Sequence, residues 1–194
     1  MKICFATNNQ HKIDEVQAML PPEVELVSLK EIGCEEELPE EQDTLQGNAR
    51  QKAMYVWDNY HVSCFADDTG LEIPALNNEP GVYSARYAGP QRNSEDNMQL
   101  VLDKLKNGLG RQARFRTVIC LVLNGEVHEF EGAAEGKITH SRAGQGGFGY
   151  DPIFVPEGYD KTFAELSKEE KNSISHRGRA TKKLVEFLRE KAEN

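Results

Sequence analysis

The chain has 194 residues, with 23 Lys and Arg against 32 Asp and Glu and a formal charge of −9 at pH 7. One domain spanning residues 1–194 is expected at this length, and so acidic a surface repels phosphate backbones, which excludes a nucleic acid polymer as the main partner. A small anionic substrate stays open, because one metal ion and a few lysines can dominate the field inside a cleft.

Residues 2–6 form an apolar run, too short for a signal sequence or a membrane span, and read as a first strand in a protein with no membrane role. After the polar TNNQHK, the spacing of Ile13, Val16, Gln17 and Leu20 predicts a helix that Pro21 and Pro22 stop. Residues 24–29 alternate like a second strand, 31–43 read as an exposed acidic loop, and 44–60 have helical composition. The run 62–66 delivers the chain to Asp67, Asp68, Thr69 and Gly70, so both carboxylates are expected at a strand end, where α/β sheets place chemistry. Residues 74–92 read as loop, and Asn93 or Ser94 caps a helix carrying Met98, Val101, Leu102 and Leu105, ended by Gly108 and Gly110. Asn124 and Gly125 between the β-type runs 114–123 and 126–134 signal a type I′ hairpin. A glycine-dense loop at 144–149 and a short apolar piece at 152–155 follow, and a helix at 175–191 turns Ala180, Leu184, Phe187 and Leu188 inward. Cys4, Cys34, Cys64 and Cys120 form no CxxC pair, which suits reduced structural cysteines in a cytoplasm.

Five places offer chemistry, each beside a plainer reading. TNNQHK leaves a strand and enters a helix, so its N–H groups and Lys12 suit a phosphate, though Asn-rich turns are common. Of Asp67 and Asp68, one can hold Mg²⁺ on a triphosphate while a second carboxylate orients or deprotonates water, or else Asp-Asp-Thr-Gly is a turn. Glu35, Glu36, Glu37, Glu40 and Glu41 are either a solvated face or the source of another magnesium ligand, and spacing does not choose among them; Lys52 points at the same cleft or into solvent. GQGGFGYDPIF, residues 144–154, lets backbone approach a ligand while Phe148 or Tyr150 stacks on a base, or closes a tight turn with core aromatics. Ser175, His176 and Arg177 stand at a helix start, and are either a capped, solvated first turn or buried donors that would favour a 6-oxopurine over adenine.

In this order, TNNQHK, FADDTGLE, PGVYSARYAG, GGFGYDPIF and ELSKEEKNSISHRG resemble the inosine triphosphate pyrophosphatase family, over residues 3 to about 188. The resemblance implies an elongated, two-lobed α/β domain with a long mixed twisted sheet flanked by helices, usually a homodimer. It implies Asp68 as catalytic carboxylate and, with Glu40, as Mg²⁺ ligand. It further implies substrate binding by Thr7, Asn8, Asn9, Gln10, His11, Lys12, Lys52, Thr69, Phe148, Gly149, Tyr150, Asp151, Lys171, His176 and Arg177. The implied activity is hydrolysis of inosine, deoxyinosine and xanthosine triphosphates to monophosphate and pyrophosphate. Thr69 stands where Ser is common in that family, and Gly47 where many members carry Glu. Two rivals remain: a related pyrophosphatase acting on pyrimidine or methylated nucleotides, and a nucleotide-binding module without turnover.

Overall fold

The computed structural model describes residues 1–106 and 108–194 of the chain. Strand β1 (Lys2–Phe5) leads into helix α1 (Gln10–Met19), followed by β2 (Glu25–Val27), α2 (Leu45–Tyr60), β3 (Cys64–Ile73) and β4 (Glu79–Pro80). Helix α3 (Ser94–Lys104), strands β5 (Gln112–Leu123), β6 (Glu126–Ile138) and β7 (Phe154–Pro156), and helices α4 (Lys168–Ile174) and α5 (His176–Glu193) complete the α/β fold. The sheet is mixed, ordered β2-β1-β3-β5-β6-β7 with β4 paired to β3. β1 runs parallel to β2 and β3, whereas β4 is antiparallel to β3 and β7 to β6.

The chain packs as two compact units. The first comprises Met1–Asp68, Val118–Glu131 and Ala180–Asn194, the second Thr69–Thr117 and Gly132–Arg179. In the first, Ile3 and Phe5 of β1, Ile13 and Val16 of α1, and Ala180, Leu184 and Leu188 of α5 share a core with Phe65, whose ring stacks on Phe5 at 4.4 Å. In the second, Leu71, Ile73, Met98, Val101 and Leu105 pack with Phe115, Phe154 and Phe163. All four cysteines are buried and unpaired. Among the described residues, no helix is long and apolar enough to cross a membrane.

The local signals explain most of these elements. Asn9, Thr44 and Asn93 cap α1, α2 and α3, each accepting backbone N–H groups of the first turn. Asn124 (φ 50°) and Gly125 (φ 88°) turn β5 into β6 with two positive φ angles, the I′ geometry.

Four elements depart from the sequence expectation. β3 does not stop at the aspartates: it continues to Ile73, so Asp67 and Asp68 lie inside a strand, because buried Leu71 and Ile73 keep the backbone in the sheet. The second strand is only Glu25–Val27, since Leu29 N–H already bonds back to the Thr7 carbonyl. Residues 74–92 hold β4 and two 3₁₀ turns rather than plain loop. Helix α4 is an addition, opened by a capping box between Ser167 and Glu170.

Candidate active site

Within the first unit, the segment after β1 is wired largely to itself. Thr7 Oγ1 accepts from Asn9 N–H (3.1 Å), Asn8 Oδ1 from Lys30 N–H (3.0 Å), and Asn9 Oδ1 from the N–H groups of His11 (3.1 Å) and Lys12 (3.4 Å). The Asn9 cap thus takes two of the donors that the sequence offers to a phosphate. Gln10 bonds to Asp14 and His11 is exposed, which leaves Lys12 as the directed cation, its Nζ 3.5 Å from Asp67 Oδ2.

Structure selects among the acidic-loop residues where spacing does not. Glu36 Oε1 accepts from Tyr60 (2.6 Å) and Tyr55 (2.8 Å), and with Tyr60 as the leading cause its carboxyl is held at about 2. Glu36 is therefore an anchor of the loop on α2. Glu40 instead faces Lys52, whose Nζ donates to Glu40 Oε1 at 2.7 Å and to the Asp67 carbonyl at 2.6 Å. Burial opposes the charge on Lys52, yet attraction from Asp67 and the bond to Glu40 raise its pKa overall.

Asp68 is the carboxylate of this group that burial perturbs most. Burial pushes its carboxyl up to about 6, Lys52 pulls it back, neighbouring Glu40 pushes it up again, and the Asn48 side chain favours the charged form. Asp68 Oδ2 is buried with no hydrogen-bond donor among the described residues, a state that in native proteins calls for an explanation such as a catalytic role, a water or a bound ion. Asn48 was not anticipated. It is 4 % exposed, and its Oδ1 accepts from Gln42 N–H at 2.9 Å, tying α2 to the acidic loop two residues from Glu40. The signal was available: a polar residue within the inward stripe Leu45, Ala49, Ala53 and Val56 of α2.

Within the second unit the glycine loop is organised by Asp151, which is 3 % exposed. Its Oδ2 accepts from Phe148 N–H (3.0 Å) and from the Lys171 ammonium. Gly147 sits at φ 68°, and a Cβ there would overlap Asp151 Oδ2, so glycine is required twice over. The loop presents Phe148, 64 % exposed, with Lys171 Nζ 4.7 Å and Arg177 Cζ 5.5 Å from its ring centre. The expectation of Tyr150 as a stacking face is corrected: its ring is in the core and its hydroxyl donates to the Ser84 carbonyl at 2.6 Å, because the turn at Gly149 points it inward. Ser175 caps α5 as expected, accepting from Gly178 N–H at 3.0 Å. His176 is buried and stacked on Phe115, ring centres 4.7 Å apart. Thr69 Oγ1 lies 2.7 Å from Thr117 Oγ1, a partner in β5 that sequence reading did not single out.

The sequence model of the Ham1 family matches residues 3–187. The chain belongs to the Ham1 family. A dITP/XTP pyrophosphatase of Flavobacterium johnsoniae is 55% identical over 188 residues, covering 97% of this chain and 98% of that protein. One of Flavobacterium psychrophilum is 53% identical over 97% of this chain and 100% of that protein. The Ham1 protein of Staphylococcus aureus superposes with a TM-score of 0.94 at 39% identity, covering 98% of this chain and 100% of that one. Within this Ham1 fold, Lys12, Glu40, Lys52 and Asp68 gather in the first unit, and Phe148, Asp151, Lys171, His176 and Arg177 gather in the second.

Proposed function

We propose that this Ham1-family chain hydrolyses inosine, deoxyinosine and xanthosine triphosphates to the nucleoside monophosphate and pyrophosphate, with Mg²⁺ as cofactor. The observation that carries the reading is Asp68: a half-buried carboxylate with one isolated oxygen, under the electrostatic influence of both Lys52 and Glu40. Similarity to dITP/XTP pyrophosphatases over nearly the whole chain supplies the substrate class.

Asp68 and Glu40 suit a hard divalent cation. Their donors are all oxygen, and among the described residues no cluster of three or more His, Cys, Asp or Glu is built to cage a metal. Mg²⁺ commonly takes one or two carboxylates and completes its shell with water and substrate phosphates. When bound it neutralises charge and polarises phosphoryl oxygens. Lys12 and Lys52 add positive charge against the triphosphate. Asp68 is mostly ionised at neutral pH and so available to the cation, and a carboxylate of this group orients the attacking water and takes its proton. Water adds at the α-phosphorus, the bond to the bridging oxygen breaks, and its electron pair leaves with pyrophosphate. Phe148 offers its exposed ring to the base, where stacking contributes about 1–3 kcal/mol. His176 and Arg177 donate to the 6-oxo edge, and adenine, with an amino group there, leaves those donors unpaired.

Incubation with inosine triphosphate and Mg²⁺, followed by ³¹P NMR, tests the reading. Pyrophosphate and inosine monophosphate are expected; orthophosphate with the diphosphate, or faster cleavage of uridine or thymidine triphosphate, overturns it. The reading includes a homodimer, for which light scattering should give twice the 21.8 kDa of one chain. It also includes a reducing compartment such as the cytoplasm, supported by four unpaired buried cysteines.

A further inference from the structure

Thr117 is fully buried on β5, at 0 % exposure, between Arg116 and the apolar run Val118–Leu123. Among the described residues, its hydroxyl has one hydrogen-bond partner, Thr69 Oγ1 at 2.7 Å. A hydroxyl carries one proton and two lone pairs. Away from water, leaving the proton unmet costs more than leaving a lone pair unmet, because only the proton has no second way to be satisfied. Thr117 therefore donates and Thr69 accepts. The proton of Thr69 then points away from Thr117, from a half-buried position next to Asp68 in β3. Thr69 is β-branched, so its hydroxyl has few directions to choose from.

We propose that Thr117 is a positioning residue for the reaction: by donating to Thr69 Oγ1 it leaves Thr69 as a one-way donor, suited to an acceptor-only group such as a phosphoryl oxygen of the substrate. The proposal rests on the functional reading above and adds the residue that sets the polarity of Thr69. It also gives a physical sense to threonine at position 69. A serine hydroxyl would spin among three rotamers, whereas the Thr69–Thr117 pair holds one oxygen and one proton direction.

A double-mutant cycle tests it. Thr117→Val keeps shape and strand preference while deleting the hydroxyl, and Thr69→Val deletes the group through which Thr117 acts. Thr117→Val should lower kcat/KM for inosine triphosphate about three- to tenfold, the span of one neutral hydrogen bond. In the Thr69→Val background the same change should alter kcat/KM by less than about twofold, since coupled residues lose additivity. Thr117→Ser, which restores the donor, should recover activity to within about twofold of the wild type. A merely structural Thr117 would lower the melting temperature equally in both backgrounds and leave no coupling in kcat/KM. Equal losses in both backgrounds, no loss in the wild-type background, or failure of serine to rescue would overturn the proposal. If the valine variant does not fold, Thr117→Ala carries the same cycle. If the wild-type chain releases no pyrophosphate, the functional reading fails. The cycle is then read as the Kd of the α,β-imido analogue of inosine triphosphate by calorimetry, with the same pattern deciding for or against Thr117.

Discussion

Replacing Asp68 by Asn should stabilise the protein while stopping its chemistry. Burial raises the Asp68 carboxyl from 3.8 to about 6, so the folded state holds this proton more tightly than the unfolded chain does. Between those two values unfolding releases the proton, stability falls as pH rises, and above about 6 the folded protein bears the whole penalty. Two pKa units correspond to about 3 kcal/mol, which partial exposure trims to about 2–3 kcal/mol. Asn has the same shape and no charge to desolvate. In EDTA at pH 8, Asp68→Asn should therefore melt about 4–10 °C above the wild type, with roughly half that gap at pH 5 and none below the unfolded-state pKa. Pyrophosphate release should fall about 10²–10⁴-fold, the usual contribution of a placed base. Differential scanning calorimetry at the two pH values and a pyrophosphate assay check both arms. Equal melting temperatures at pH 8 would show that the carboxylate bears no burial penalty, and surviving turnover would remove Asp68 from the chemistry.

Phe148→Ala should raise KM for inosine triphosphate about 5- to 100-fold through lost stacking, with little change in melting temperature because the ring is 64 % exposed; an unchanged KM would exclude base stacking there. Gly147→Ala should cost at least about 1–2 kcal/mol from positive φ alone and more from overlap with Asp151 Oδ2, read as a lower melting temperature together with a higher KM. Lys52→Met removes the charge that pulls the Asp68 carboxyl down, so in EDTA the Asp68 titration followed by NMR should move to higher pH; a titration that stays or moves to lower pH contradicts the coupling of Lys52 to Asp68.

What the sequence made legible was local. Asn-Gly at 124–125 dictates two positive φ angles, and Asn9, Thr44 and Asn93 cap helices whatever the rest of the chain does. What it hid was decided by distant partners. Asp-Asp-Thr-Gly has turn composition, yet β3 runs through it because buried residues beyond keep the strand in the sheet. Five acidic-loop glutamates looked equivalent until two tyrosines of α2 took Glu36 and Lys52 took Glu40. Ser-Lys-Glu-Glu at 167–170 did announce a capping box, but α4 buries no residue, so it left no apolar stripe to find.

Gly47 joins the two halves of that lesson. The resemblance leads one to expect a glutamate here, in the first turn of α2, where a carboxylate would also suit the helix dipole. In this chain a Cβ at Gly47 would lie 2.8 Å from Gln42 Cβ and 2.9 Å from Thr44 Oγ1, and Thr44 Oγ1 is the cap that accepts Gly47 N–H. The turn from Gln42 to Thr44 has closed onto the helix, held by Gln42 N–H on Asn48 Oδ1. Space that a longer side chain would need is filled by backbone-proximal atoms, which yield less readily than the tip of a flexible chain. Glycine there and the buried Asn48 beside it are thus one packing arrangement, and it leaves Glu40 and Asp68 as the acidic pair that the Lys52 ammonium balances.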